Sequence, residues 1–298
     1  MENKIDLVQK CTEYMEEKGL SQARLANLIG IGESTFSRWL KGNYPNPEAI
    51  NHKVQAFFEK ESIRQEVVDA RDIGFAMTSI SQNVWQVLEY CRIQKTIGVI
   101  YGDAGIGKTR TTIEWAKDKP DVIIITANPA FNSPKSFLKL LAKQLKTIRN
   151  GSMDDIYMDV LDKLTGADKT IVIDEAQHLT HKALEIVRSI NDSTNTAIIL
   201  IGNAVVYSKL LGKQQAEFAQ LFSRIGMRSH LLTDVFTKKD VISVFGDQEE
   251  EVLDFLLNIC KSKFGLRGAI HVFVNAQNNK DLSAKGVRAM AKLMGILV

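Results

Sequence analysis

Residues 102–109 read Gly-Asp-Ala-Gly-Ile-Gly-Lys-Thr, which fits the pattern G-x-x-x-x-G-K-[ST] throughout. The apolar run 96–100 precedes this stretch, and a helix-like segment, 110–117, follows it. Strand, glycine-rich turn and helix in that order separate a phosphate-binding loop from a chance match. Each residue type has a physical task. Gly102, Gly105 and Gly107 let the chain turn tightly, so that the backbone amides of residues 102–110, including Asp103, Ala104, Ile106 and Arg110, can point at phosphate oxygens. The following helix adds the positive end of its dipole. Lys108 can reach the β- and γ-phosphates, and the Thr109 hydroxyl is of a type that ligates Mg²⁺. The stretch is therefore expected to bind a nucleoside triphosphate.

The strand pattern around the loop predicts a parallel sheet. Residues 97–101, 122–126, 170–173 and 197–201 are short, apolar and rich in β-branched side chains, with helical patterns between them. Continuous apolar strands alternating with helices indicate a sheet covered on both faces. Four regions follow: a short helical module at 1–60, a polar helix extension or linker at 61–73, an α/β core at 74–231, and several short helices at 232–298.

The third strand runs into Asp174-Glu175. Acids at that tip, beside a phosphate loop, place Asp174 near Mg²⁺ and Glu175 where it can polarise an attacking water. The fourth strand ends at Asn203, a polar tip that can reach a γ-phosphate or the water. This order of phosphate loop, Asp-Glu strand, polar strand tip and helical tail resembles the AAA+ ATPases from about residue 74 onward. The resemblance implies a five-stranded αβα P-loop NTPase core, a C-terminal helical lid, ATP and Mg²⁺ as ligands, and oligomers with active sites between subunits. It further implies that a neighbouring subunit supplies an arginine. Arg224 is the first choice and Arg228 the second, both in the segment 217–228. Arg267, in Phe-Gly-Leu-Arg-Gly, matches the nucleotide-facing lid arginine, although the family places more residues between its glycine and arginine. Residues 126–129, Thr-Ala-Asn-Pro, could hold a polar group that restrains the glutamate.

In residues 20–39, Ser21 is a good N-cap for a first helix, Gly30 to Glu33 supply a turn, and a second helix over 34–41 buries Phe36, Trp39 and Leu40. The pattern resembles the helix-turn-helix domains of phage repressors. That likeness implies that Ser34, Thr35, Ser37, Arg38 and Lys41 face a DNA groove or its phosphates. The module carries eight Lys/Arg and eight Asp/Glu over residues 1–60, so it has no overall basic field. A second basic feature lies in the core, where Lys135, Lys139, Lys143 and Lys146 recur at helical spacing with Arg149 beyond them. These lysines are expected on one face of a helix over 137–148 and could track DNA phosphates. Lys209, Lys213 and Arg228 are further candidates.

The bulk properties agree with such a protein. A chain of 298 residues with 45% hydrophobic and 24% charged residues is that of an ordinary globular protein, long enough for two domains. The net charge of +3 permits local nucleic-acid patches without demanding them. Cys11, Cys91 and Cys260 are odd in number and in no metal-ligand spacing, which suggests a reducing compartment. With no signal pattern and no apolar run of membrane length, a cytoplasmic location without membrane contact is expected.

The strings GDAGIGKT, IVIDEAQHL, IGNAVVYS, EFAQLFSRI and TKKDV together resemble the AAA+ ATPases that serve phage DNA transposition, over nearly the whole chain. What that resemblance implies is an ATPase that binds duplex DNA largely without sequence preference. It would oligomerise there as a helical filament or ring and deliver the target to a transposase. A helix-turn-helix transcription regulator with an ATPase switch and a helicase-loader-type ATPase are the alternatives.

Overall fold

The apolar segments expected as strands are strands, and a fifth joins them. β1 (Ile97–Gly102), β2 (Val122–Thr126), β3 (Thr170–Asp174), β4 (Ala197–Gly202) and β5 (Ile225–Leu231) form one parallel sheet in the order β2-β3-β4-β1-β5. The computed structural model describes residues 2–66, 69, 73–147, 150–211 and 223–298. By its internal contacts the chain divides into two units, Met1–Asp69 and Ala70–Val298. Arg149, Lys213, residues 217–222 and the side chain of Lys209 lie outside what is described.

In the second unit, side-chain alternation along the strands explains the layering. Ile171, Ile173, Ile198 and Leu200 join one apolar cluster, and Val172, Ile199 and Ile201 join the other. A strand buried on both faces has no polar side to show, which is why these segments read as unbroken apolar runs. The first cluster is closed by α7 (Pro134–Gln144), α8 (Met153–Leu164) and α9 (His181–Thr194). The second is closed by α5 (Ser79–Gln94), by Trp115 of α6 (Lys108–Ala116), and by the C-terminal helices α11 (Lys238–Phe245), α12 (Glu250–Lys261), α13 (Gly265–Asn278) and α14 (Ala284–Leu293). The C-terminal helices thus share a core with the sheet. Asp240 ties them to α5: its buried carboxylate accepts from the Ser79 backbone N–H at 2.6 Å and from the Thr237 backbone N–H at 2.8 Å. Two helix N-termini meet one negative charge there, a favourable arrangement. α10 (Ala204–Leu211) follows β4.

One element had no sequence signal, and one local expectation is corrected. β5, Ile-Gly-Met-Arg-Ser-His-Leu, is an edge strand whose residues alternate between half-buried and exposed, so it carries none of the apolar continuity of the inner four. The lysine-bearing helix α7 ends at Gln144, and Lys146 lies beyond it with φ 54°, off the helical face. Lys135, Lys139 and Lys143 are exposed along α7 itself.

The first unit is helical: α1 (Glu2–Lys18), α2 (Gln22–Ile29), α3 (Glu33–Leu40) and α4 (Glu48–Glu66). The last of these runs through the first part of the segment read as helix extension or linker. Ser21 caps α2, its side chain accepting from the Arg24 N–H, and Gly30 ends it in the left-handed region at φ 76°. Phe36 and Trp39 stack at 5.7 Å in a small core with Leu7, Cys11, Leu25, Ile50 and Val54. The buried Trp39 indole donates to Asn51 Oδ1 at 2.7 Å. Ser34, Arg38 and Lys41 are exposed and Thr35 and Ser37 half-buried, while the Arg38 guanidinium lies 5.8 Å from the Tyr44 ring centroid.

Candidate active site

The turn after β1 is held from behind before any ligand is considered. Gly102 has φ 150°, and a Cβ there would stand 1.8 Å from the Leu231 carbonyl oxygen at the end of β5. The Asp103 N–H donates to that same oxygen at 3.0 Å. The Asp103 carboxylate accepts from the Thr233 N–H at 2.9 Å and its hydroxyl at 3.1 Å. Gly105 and Gly107 then take φ 72° and 100°, and α6 starts at Lys108. The Ile106 side chain is buried in the core, so only its backbone serves the loop, while Ala104 and Arg110 are exposed.

The residues expected to act together converge at the C-terminal end of the sheet. The Thr109 hydroxyl donates to Asp174 Oδ2 at 2.7 Å, and Asp174 Oδ1 accepts the Glu175 N–H at 2.9 Å. Asp174 is 4% exposed, whereas Glu175 is exposed and adopts φ 54°, a left-handed conformation uncommon outside glycine. Lys108 Nζ donates to the carbonyls of Gly102 at 3.1 Å and Asp103 at 2.5 Å. Burial pushes the Lys108 ammonium below its ordinary range; Asp174, Glu175 and Asp103 pull it back up, and Arg267 adds to the depression. A hydroxyl and a carboxylate in contact beside a glycine cradle are hard oxygen donors of the kind Mg²⁺ takes, so these residues fit that ion.

The C-terminal helices close over the loop. The Arg267 N–H donates to the Gly105 carbonyl at 2.9 Å, and a Cβ on Gly265, at φ 59°, would lie 3.0 Å from the Ala104 oxygen. Arg267 is thereby brought to the loop despite its short spacing from the glycine. Asn203 sits at the tip of β4, its Oδ1 accepting the Val205 N–H at 2.9 Å and so capping α10. Asn128 Oδ1 caps a short helical turn, accepting the backbone N–H groups of Ala130 and Phe131. Gln177 Nε2 donates to Glu175 Oε2. Nothing local in the sequence marks Thr233 or Gly265, or the bond between Gln177 and the Asn203 N–H, because these are set by where distant segments meet.

The two candidate arginines lie elsewhere. Arg224 precedes β5, and the register pairs Ile97 with Ile225 and Gly102 with Leu231. Six residues of strand place it roughly 20 Å from its own phosphate loop, at the other end of the sheet. Its Nε donates to Asp192 Oδ1 at 2.6 Å. Arg228 is at mid-strand, donating from Nη1 to the Tyr207 hydroxyl at 2.9 Å.

Sheet order, loop and helical cover make this an α/β protein of AAA+ fold, and residues 92–210 match the AAA domain family. Two curated relatives span most of the chain. The Mu-like prophage FluMu DNA transposition protein B of Haemophilus influenzae is 28% identical over 271 residues, 88% of this chain and 93% of the relative. The ATP-dependent target DNA activator B of Escherichia phage Mu is 29% identical over 248 residues, 80% of this chain and 77% of the relative. Among solved structures, a point variant of Thermotoga maritima RuvB aligns at a TM-score of 0.46 with 14% identity, over 72% of this chain and 68% of that one. The resemblance to phage transposition ATPases is thus met by relatives of that name. No helix among the described residues is long and apolar enough to cross a membrane.

Proposed function

We propose that this chain is an ATP-hydrolysing, largely non-sequence-specific DNA-binding protein that oligomerises on target DNA and presents it to a transposase. The observation that carries the enzymatic part is the convergence of Lys108, Thr109, Asp174 and Glu175 at one end of the sheet. The printed names of the relatives support the DNA and transposition part.

In the proposed reaction, backbone amides of residues 102–110 and Lys108 hold the phosphates of ATP. Thr109 and Asp174 would hold Mg²⁺, which when bound would offset the negative charge of the phosphates. Glu175 accepts a proton from water as the water oxygen bonds to the γ-phosphorus. The bond from that phosphorus to the β–γ bridging oxygen breaks, giving ADP and phosphate. Asn203 Nδ2 and Arg267 contact phosphate oxygens, and Arg224 reaches the γ-phosphate of the adjacent subunit. Its distance from its own loop supports action in trans, and its permanently charged planar fork suits the task. ATP then favours assembly because it binds the assembled state better than the dispersed one. Lys135, Lys139 and Lys143, with Lys146 beside them, form the DNA-phosphate contact of the core. In the first unit, α2 and α3 act as a helix-turn-helix whose Ser34, Thr35, Ser37, Arg38 and Lys41 face DNA.

Binding to unrelated duplexes, followed by anisotropy and imaging, tests this reading. Wild type should bind all of them only with ATP. Lys108→Ala should lose that ATP-dependent binding. Glu175→Gln should retain it and disassemble more slowly, with turnover lower by a factor on the order of 10² or more. ATP-independent binding at one operator sequence would contradict the proposal and favour a transcription regulator.

A further inference from the structure

The amide of Gln177 spans two groups assigned to the same phosphate. Its Nε2 donates to Glu175 Oε2, and its Oε1 accepts the Asn203 N–H at 3.4 Å. A carboxylate only accepts, so Nε2 is the end that must face Glu175, leaving Oε1 for the backbone donor. The seat is shaped for this amide. A Cβ on Gly202 would stand 2.3 Å from Gln177 Oε1 and 2.4 Å from Val206 Cγ2, so β4 can carry no side chain there while the amide is in place. Beyond Gln177, Asn203 caps α10, so the amide joins the exposed carboxylate to the start of a helix.

We propose that Gln177 is a positioning residue that fixes Glu175 against the tip of β4, so that the carboxylate and Asn203 move about the γ-phosphate as one unit. An exposed glutamate on a left-handed backbone has several side-chain rotamers open to it, and a misplacement near 1 Å at a reacting group costs roughly 10²-fold in rate. Binding Oε2 to the amide selects one rotamer and leaves Oε1 to take the proton from water. The sequence places Gln177 two residues past Glu175, on a short helical turn (Ala176–His178) that follows β3. The inference rests on the hydrolysis reading given under Proposed function.

The test is a cycle on the full chain with ATP and duplex DNA: wild type, Gln177→Met, Glu175→Gln and the double variant. Gln177→Met should lower kcat at least about tenfold while affinity for a fluorescent ATP analogue stays within about twofold. In the Glu175→Gln background the same change should cost nothing further, because the group it positions is already gone. Gly202→Ala, which fills the seat from the strand side, should reproduce the loss of kcat with unchanged affinity. An equal loss in both backgrounds, a loss carried by nucleotide affinity, or unchanged turnover in Gln177→Met would overturn the proposal. Wild-type turnover in Glu175→Gln alone would instead remove the hydrolysis reading, a failure visible without any change at Gln177.

Discussion

Gly102 is required by its neighbour in the fold as much as by any ligand. The Leu231 carbonyl occupies the space a Cβ would need, 1.8 Å away, and φ is 150°. Backbone cannot retreat as a flexible side chain can, so Gly102→Ala should destabilise the second unit by about 3 kcal/mol or more. Urea titration measures this, and a midpoint equal to that of wild type would show that β5 does not press on the loop as described. Lys108, Thr109 and the Asp174-Glu175 pair were legible in the sequence because loop spacing and strand ends are local patterns. Gln177 and Thr233 were not, since the amide gains its second partner, the Asn203 N–H, only when β3 and β4 lie side by side, and Asp103 meets Thr233 only when β5 ends beside β1.

Among elements, legibility followed burial. The inner strands lie between two apolar layers and announce themselves by composition, whereas β5 has one half-buried face, a central arginine and a histidine, and lacks that signal. Helix ends were also hard to place from periodicity. The lysine spacing continues to Lys146, yet the helix stops at Gln144 and the chain turns into the left-handed region. The proposed DNA contact therefore centres on Lys135, Lys139 and Lys143. Reversing charge at Lys139 should weaken binding to every duplex alike and reduce the slope of log affinity against log salt by about one. Lys146→Glu should have a smaller effect on both. Equal effects from the two variants, measured by anisotropy at several salt concentrations, would contradict the helical-face account.

Across the whole molecule, the separation between loop and arginine matters most. Lys108, Thr109, Asp174 and Glu175 gather at one end of the sheet, while Arg224 stands at the other end beside Asp192. A site that needs both must draw them from two subunits, and head-to-tail contacts of that kind build rings or filaments. Sequence order suggested this division through family resemblance, and the strand register separates Arg224 from its own loop. The central claim is that one ATPase site is shared between neighbours. Its most direct test mixes Glu175→Gln, which keeps ATP-dependent DNA binding, with Arg224→Ala on duplex DNA with ATP, each variant being nearly inactive alone. Under random mixing roughly a quarter of interfaces pair an intact glutamate with an intact arginine, so turnover should rise to about that share of wild type. A mixture no more active than its separate components would contradict the account.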